Sequence, residues 1–438
     1  MIEANWLMGC FLAIYVGRSL AAAAVERLTI RHMKAFGSKV LPCFEGFVDP
    51  STFDRITAYT AAKSHTGSIH GALSDVVLLA MLLFGFMPAV ARTLLDRGLH
   101  FIPAGILFFM IPACVLYLLE LPFDYYNSFK IEERFGFNRS TVRIWVADHV
   151  KSGLISLTLT SLLLALVLWA IRISPAHWPL WAFLAISCIQ ILLTVLYPVL
   201  IAPLFNKFEP LKDDELSGKI RDLMEENGIR IERIFQMDAG LRSRHTNAYF
   251  TGLGRTKRIV LYDTLLESHS HDEILSVLAH EAGHFKGRHI FKLVLLFELS
   301  LLAGLFITHH MLGWTNLYST FGFASPEPYA GLFLIGIFWE RAGYFLRPVY
   351  LGISRHFERE ADSFAARLMK TSKPLVNSLK RMAADNLSNL APHPLDVLMN
   401  YSHPPLVERI KLLERAEPRG GPDCPCRSSL LRRESETC

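Results

Sequence analysis

Charge is scarce in this sequence. Of 438 residues only 19% are Asp, Glu, Lys or Arg, against 51% hydrophobic. With a mean hydropathy of +0.30, so apolar a chain needs either an outsized core or lipid to face. Neither sign of charge dominates: 45 Lys and Arg against 40 Asp and Glu leave a net charge of +5. The bases are spread over loops and form no stripe, which argues against a nucleic-acid partner. Cysteine is also sparse. Cys10, Cys43, Cys114, Cys188, Cys424, Cys426 and Cys438 have no disulfide-framework or thiolate-cage spacing, and three of them read as inert core residues in or beside apolar runs. Cys424 and Cys426 form a Cys-Pro-Cys in a polar tail too loose to fix ligand geometry. Ser435 stands fourth from the end, where a prenylation signal has its Cys. No internal repeat is visible, which counts against a transporter built from related halves. Met1–Asn5 lacks the positive start of a signal peptide.

What the sequence has instead is long apolar runs. Seven stretches are candidate membrane spans: residues 4–24, 72–95, 99–119, 152–171, 178–206, 290–310 and 329–350. The fourth and fifth contain no charge. Arg18 interrupts the first, near enough to its end to snorkel to the interface. Loop 25–71 carries Arg27, Arg31, Lys34, Lys39, Arg55 and Lys63, and loop 120–151 carries Lys130, Arg134, Arg139, Arg143 and Lys151. Loop 311–328 has no Lys or Arg. The positive-inside rule then puts the N-terminus outside and segments 207–289 and 351–438 in the cytoplasm. Asp75, Glu298, Glu340 and Arg341 fall inside spans, where they either form internal ion pairs or face a water-filled cavity. Residues 417–438, rich in Pro, Gly, Ser and Arg, read as a disordered tail.

The chemistry sits in His280-Glu281-Ala282-Gly283-His284, an HExxH sequence. Ser270 and Glu273 have the spacing of a capping box, and Ile274, Leu275, Val277 and Leu278 supply an apolar face, so the motif lies on a helix. Residues four apart share a helix face, so both imidazoles reach one metal ion while Glu281 reaches its water. Zinc lowers the pKa of that water to about 7, and Glu281 is placed to take its proton and hand it to the leaving amine. Gly283 lies inside this helix, where only a small residue allows close approach.

A catalytic zinc needs a third protein ligand and one open position. Glu358, on a predicted helix in Ser354–Asp362, is the candidate, giving one zinc per chain. Asp362, one turn on, is placed to orient a ligand His, whereas Glu360 points elsewhere and reads as a solvated charge. Two spans separate His284 from Glu358, an even number, so both lie on one side of the membrane. His403, rigidly held before Pro404-Pro405, either meets the oxyanion or belongs to a capped turn before a helix at 406–415. Residues 231–237, 246–253 and 257–262 read as short strands. They form either an ordinary small sheet on the HExxH helix or an edge for an extended substrate, and Asn247 is placed to meet a substrate backbone. His245, His269, His271 and His289, and the pair His309-His310, have no ligand geometry of their own and read as structural or interfacial.

Several motifs in one order extend this reading. Pro122–Tyr126, Ile131–Asn138, Asn247–Phe250, the HEAGH at 280–284, Glu358–Asp362 and Ser402–Pro405 with Arg409 resemble the type I CAAX prenyl protease family, the integral-membrane zinc metalloproteases, up to about Glu417. The resemblance implies an all-α membrane protein with a small β-sheet, whose seven transmembrane helices form a barrel around a water-filled chamber closed by a cytoplasmic zincin-like protease domain. Residues 1–206 would hold transmembrane helices 1–5, 207–289 the first part of the protease domain, 290–350 helices 6 and 7, and 351–416 its second part. His280, His284 and Glu358 are implied as zinc ligands and Glu281 as the catalytic base. His403 and Arg409 are implied as transition-state or substrate contacts, and Asn247 as a substrate-backbone contact. The implied partners are the lipid bilayer and a peptide or protein substrate ending in a prenylated Cys-a-a-X. The implied location is the endoplasmic reticulum membrane in a eukaryote, or the inner membrane in a prokaryote. A membrane quality-control protease of general specificity is the alternative, although the smaller bacterial proteases of that kind have fewer spans.

Overall fold

A computed structural model describes residues 2–36, 41–251 and 256–416. The cysteine pair at 424 and 426, Cys438 and the tail 417–438 lie outside the described residues. The apolar runs form helices: α1 (Trp6–Phe36), α2 (Pro50–Leu83), α3 (Phe86–Asp96), α4 (Phe101–Tyr126), α5 (Val142–Ile173) and α6 (Trp178–Leu196). Asp49 caps α2 by accepting from the Thr52 amide (2.6 Å), ahead of Pro50 in the first turn, where its missing N–H costs nothing. Thr141 caps α5 through the Ile144 amide (3.3 Å). The expected span 72–95 is corrected: α2 stops at Leu83, and Gly85, in the left-handed region (φ +75°), turns the chain into α3. Residues 25–36 and 50–71, expected as loop, continue the helices beyond the apolar stretches, because polar residues end a membrane span without ending a helix. Asp75 therefore lies deep in α2.

Among the described residues, six helical stretches are long and apolar enough to cross a membrane: Trp6–Ala35, Pro50–Leu83, Phe101–Glu132, Val142–Ile173, Trp178–Leu204 and His289–Leu312. Their outer faces carry exposed apolar side chains such as Leu154, Trp181, Ile191 and Leu299. Cys10, Cys114 and Cys188 are exposed on these helices rather than in a core; Cys43 is buried. The expected seventh span begins a 41-residue helix, α12 (Pro328–Leu368), interrupted in its apolar part by Glu340, Arg341 and Arg347.

Two apolar cores lie toward opposite ends of α1, α2 and α12. One gathers Phe11, Tyr15, Leu82, Phe108, Leu168, Trp178, Phe321, Tyr329 and Phe333. The other gathers Met33, Phe44, Phe53, Ile56, Phe135, Ala279, Ala365, Leu379 and Ile410. Between them the helices bury almost nothing: no side chain is buried in 16–24, 67–80, 113–130, 142–166 or 183–201. Helices accessible on their inner as well as their outer faces are packed at the ends and open in the middle.

The remaining elements build on the second end. β1 (Phe208–Pro210), α7 (Asp214–Glu226), β2 (Arg230–Met237), β3 (Ala248–Thr251) and β4 (Thr256–Tyr262) precede α8 (Asp263–Ser268) and α9 (His271–Lys286). The sheet order is β1-β2-β4-β3, with β2 and β4 parallel and the outer pairs antiparallel. Three strands match expectation; β1, three residues long, was too short to read. One sheet face, with Ile234, Ala248, Ile259 and Leu261, packs on Ile274, Leu278 and Ala282 of α9 and on Leu216, Ile220 and Met224 of α7. The chain then leaves along α10 (His289–Leu312), turns through α11 (Thr315–Thr320), returns along α12, and ends in α13 (Lys373–Asp385), α14 (Pro394–Asn400) and α15 (Leu406–Ala416).

Candidate metal centre

The expected capping box starts α9: Ser270 Oγ accepts from the Glu273 amide (3.4 Å), and Glu273 Oε2 accepts from the Ser270 amide (2.8 Å). With its apolar face against the sheet, α9 turns His280 and His284 toward α12. A Cβ added at Gly283 would lie 2.9 Å from Ala361 Cα, so glycine is needed for the two backbones to approach this closely. That contact sets Glu358, one turn before Ala361, against the imidazoles.

The three candidate ligands converge. His280 Nε2 is 3.3 Å from Glu358 Oε2, His284 Nε2 is 3.2 Å from Glu358 Oε1, and the two Nε2 atoms are 3.2 Å apart. Ligand atoms on a tetrahedral zinc with bonds of about 2.1 Å would be roughly 3.4 Å apart. Glu358 Oε2 is buried with no hydrogen bond of its own. A nitrogen–nitrogen–carboxylate triangle of this size, with an orphaned buried oxygen, fits a divalent cation of the zinc class.

Asp362 places Oδ1 2.8 Å from His280 Nδ1, in a contact that is not an aligned hydrogen bond. Arg409 is buried and forks onto the same carboxylate, donating from Nε (2.8 Å) and Nη2 (2.6 Å). His403 reaches in from the open side, its Nε2 3.3 Å from Glu358 Oε1. Asn247 is exposed just before β3, its side-chain oxygen accepting from the Ala248 amide (2.8 Å).

Burial works against charge throughout, and the partners decide the outcome. Burial pushes His280 down, but Asp362 and Glu358 outweigh it and carry the imidazole up to about 9. Burial raises Glu358, yet His280 and His284 hold it far below the ordinary carboxylate range. Asp362, raised by burial, is brought down to about 2, chiefly by Arg409. Glu281 moves upward, because desolvation exceeds the help of His280 and His284. A partly desolvated carboxylate with a raised pKa beside a cation site suits a proton acceptor.

Comparison with known proteins agrees with this architecture. A profile described as CAAX prenyl protease N-terminal, five membrane helices, matches residues 29–207, and that of peptidase family M48 matches 210–417. The CAAX prenyl protease 1 of Saccharomyces cerevisiae is 34% identical over 92% of this chain and 94% of its own length. The Arabidopsis thaliana homolog is 33% identical over 92% and 97%. The chain belongs to the CAAX prenyl protease family. It is thus an integral membrane metallopeptidase of the M48 class. The crystal structure of S. mikatae Ste24p superposes with a TM-score of 0.83 at 31% identity, over 92% of this chain and 98% of that one.

Within this CAAX-protease fold, three features escaped the sequence. Arg355 donates to the carbonyls of Tyr401 (2.7 Å) and Val397 (2.9 Å), tying the segment before His403 to α12. Glu360 is not simply solvated: it lies 2.8 Å from His289 and 3.2 Å from His356. His289, read as structural or interfacial, is buried against His284. The Arg355 contacts and the Glu360–His289 pair join segments far apart in sequence, so no local pattern announces them, whereas Glu360–His356 is a one-turn pair within α12.

Proposed function

We propose that this chain is a zinc-dependent endopeptidase that removes the last three residues of proteins ending in a prenylated Cys-a-a-X. The observation that carries it is the convergence of His280, His284 and Glu358 within 4.8 Å of one another from α9 and α12. Those three residues would hold one zinc per chain. When bound, the ion would polarise the scissile carbonyl and lower the pKa of the attacking water. Glu281 takes the proton from the attacking water and delivers it to the nitrogen of the leaving tripeptide. His403, on the open side, donates to the oxygen that gains negative charge. Arg409 fixes Asp362, and Asp362 fixes His280, while Asn247 at the start of β3 offers its amide to an extended substrate backbone.

The first half of α12 is read as a seventh crossing, since Arg341 within it is buried and paired with Asp75 and Glu340. Bases at the site end, among them Arg27, Arg31, Arg55, Lys130 and Arg143, favour a cytoplasmic catalytic domain. The residence is then the endoplasmic reticulum membrane in a eukaryotic host, or the inner membrane in a prokaryotic one. The likeness to CAAX prenyl proteases supplies the substrate class. The test is cleavage of a farnesylated Cys-a-a-X peptide beside its unprenylated twin, with and without chelator. Chelator-sensitive cleavage confined to the farnesylated peptide supports the reading. Equal cleavage of both would replace it with a general membrane protease.

A further inference from the structure

The two histidines of the HExxH sequence are supported differently. His280 faces Asp362 directly. His284 has no carboxylate next to its Nδ1; what it meets is another imidazole. After α9 the chain turns through Gly287 and Arg288, the latter in the left-handed region (φ 52°), an unfavourable place for a residue with a Cβ. The turn brings His289 back against His284, five residues earlier. His289 Nδ1 is 3.1 Å from His284 Nδ1, and His289 Nε2 is 2.8 Å from Glu360 Oε2. The ring is buried (2% exposed) and stacks on Phe357 at 4.4 Å with planes 4° apart. A Cβ at Gly287 would fall 2.1 Å from His289 Nε2, so the glycine is the space this imidazole occupies. Stack, carboxylate and strained turn together fix one ring in one orientation.

Hydrogen-bond logic then determines the protons. The Glu360 carboxylate only accepts, so His289 carries its proton on Nε2 and leaves Nδ1 bare. A bare Nδ1 requires a donor, which is Nδ1–H of His284. His284 is thereby left with a bare Nε2, the atom that faces His280 and Glu358. We propose that His289 and Glu360 are positioning residues that fix the tautomer and ring plane of His284 for metal binding, a relay parallel to the direct Asp362–His280 contact. Glu358, Glu360 and Asp362, spaced two apart on α12, would serve the ligand set as ligand, relayed support and direct support. The proposal rests on the metal reading above.

The test uses the full-length protein in detergent, with zinc and cobalt as probes. Stoichiometric zinc binding by the parent protein, lost in His280→Ala, establishes the metal reading; failure here would sink that reading and this one together. Given that result, His289→Ala and Glu360→Ala should each weaken zinc binding about 10- to 100-fold in chelator competition. His289→Asn, which keeps an acceptor near the Nδ1 position, and Glu360→Gln, which keeps one facing Nε2, should recover part of the loss. The cobalt absorption spectrum should change in the alanine variants and return toward the parent in the conservative ones. Metal-free melting of Glu360→Ala, at a half-exposed side chain, should match the parent, while its zinc-induced rise in Tm shrinks. Unchanged zinc affinity in both alanine variants, or a lower metal-free Tm with intact affinity, would overturn the proposal and leave the metal reading standing. If His289→Ala does not fold, the Glu360 pair decides.

Discussion

Charges gather in two places in this molecule, and the two are balanced differently. In the helical region Arg18 and Arg341 meet Asp75 and Glu340: Arg341 Nη1 is 2.6 Å from Asp75 and its Nε 2.7 Å from Glu340, while Arg18 lies 3.5 Å from Asp75 and 3.8 Å from Glu340. Tyr15 places its ring 4.2 Å from the Arg341 guanidinium, and Ser19 donates to Asp75 (2.5 Å). Two positive charges answer two negative ones. Near α9 and α12, Glu281, Glu358 and Asp362 face a single guanidinium, Arg409. With the imidazoles neutral, as metal binding requires, that is three negative charges against one positive, an excess of two that a proton on His280 lowers by one in the metal-free site. A balanced set of paired charges reads as structure; an unbalanced one with converging lone pairs reads as a site awaiting a divalent cation.

Removing a ligand should separate the two clusters most sharply. Glu358→Ala and His280→Ala are expected to abolish bound zinc, measured by metal analysis, and to take proteolysis to background, as a chelator does in the parent. Glu281→Gln should lose about 10²- to 10⁴-fold in kcat while keeping one zinc per chain, because it removes a proton acceptor and no ligand. An active Glu281→Gln enzyme would refute the assigned role, and full zinc in Glu358→Ala would require another third ligand.

The balanced cluster should respond in the opposite currency. Asp75→Ala leaves Arg341, 6% exposed, short of its nearest carboxylate. The expected cost is about 3 kcal/mol of stability with zinc content unchanged. Adding Arg341→Met should restore much of it. Loss of zinc in Asp75→Ala with an unaltered Tm would break the distinction between the clusters.

Acidity provides a subtler contrast. In the metal-free site His280, raised to about 9, is protonated at neutral pH. Its raised pKa contributes stability below the unfolded value, near 6.5, and that contribution is lost as pH rises through about 9. Zinc must displace the same proton, so apparent zinc affinity should climb by up to tenfold per pH unit across that window. Calorimetry in buffers of different ionisation enthalpy would detect the released proton. A flat affinity from pH 6.5 to 9 would show that His280 is already neutral without metal.

The sequence made the site more legible than the walls around it. HExxH, the capping box and the Glu358–Asp362 spacing are local, so His280, His284, Glu358 and Asp362 could be brought to one place by helix periodicity and an even number of crossings. Hydropathy marks where lipid ends and says little about where a helix ends, so α1 and α2 were read short and the Gly85 break was passed over. Arg341 was visible as a charge in a span, but its partner Asp75 sits 266 positions earlier and no local rule pairs them. His289 was set aside because a lone histidine carries no geometry; its meaning comes from Phe357 and Glu360 on a helix that returns only after a full excursion.

Gly283→Ala tests whether the spacing of α9 and α12, more than any single ligand, makes the open cluster a site. The added methyl would sit 2.9 Å from Ala361 Cα and 3.1 Å from its carbonyl oxygen, against backbone that cannot rotate away. The helices must part by a few tenths of an ångström, at a cost of about 1–3 kcal/mol. That movement carries His280 and His284 away from Glu358 while every ligand is retained. Zinc affinity should fall severalfold, less than on deleting a ligand, and Tm should drop in the metal-free protein as well. Trimming the opposing methyl in Gly283→Ala with Ala361→Gly should recover part of both effects if contact distance is the cause. Unaltered zinc affinity in Gly283→Ala, despite a lower Tm, would mean that the ligand triangle tolerates the separation and that the helix contact serves stability alone.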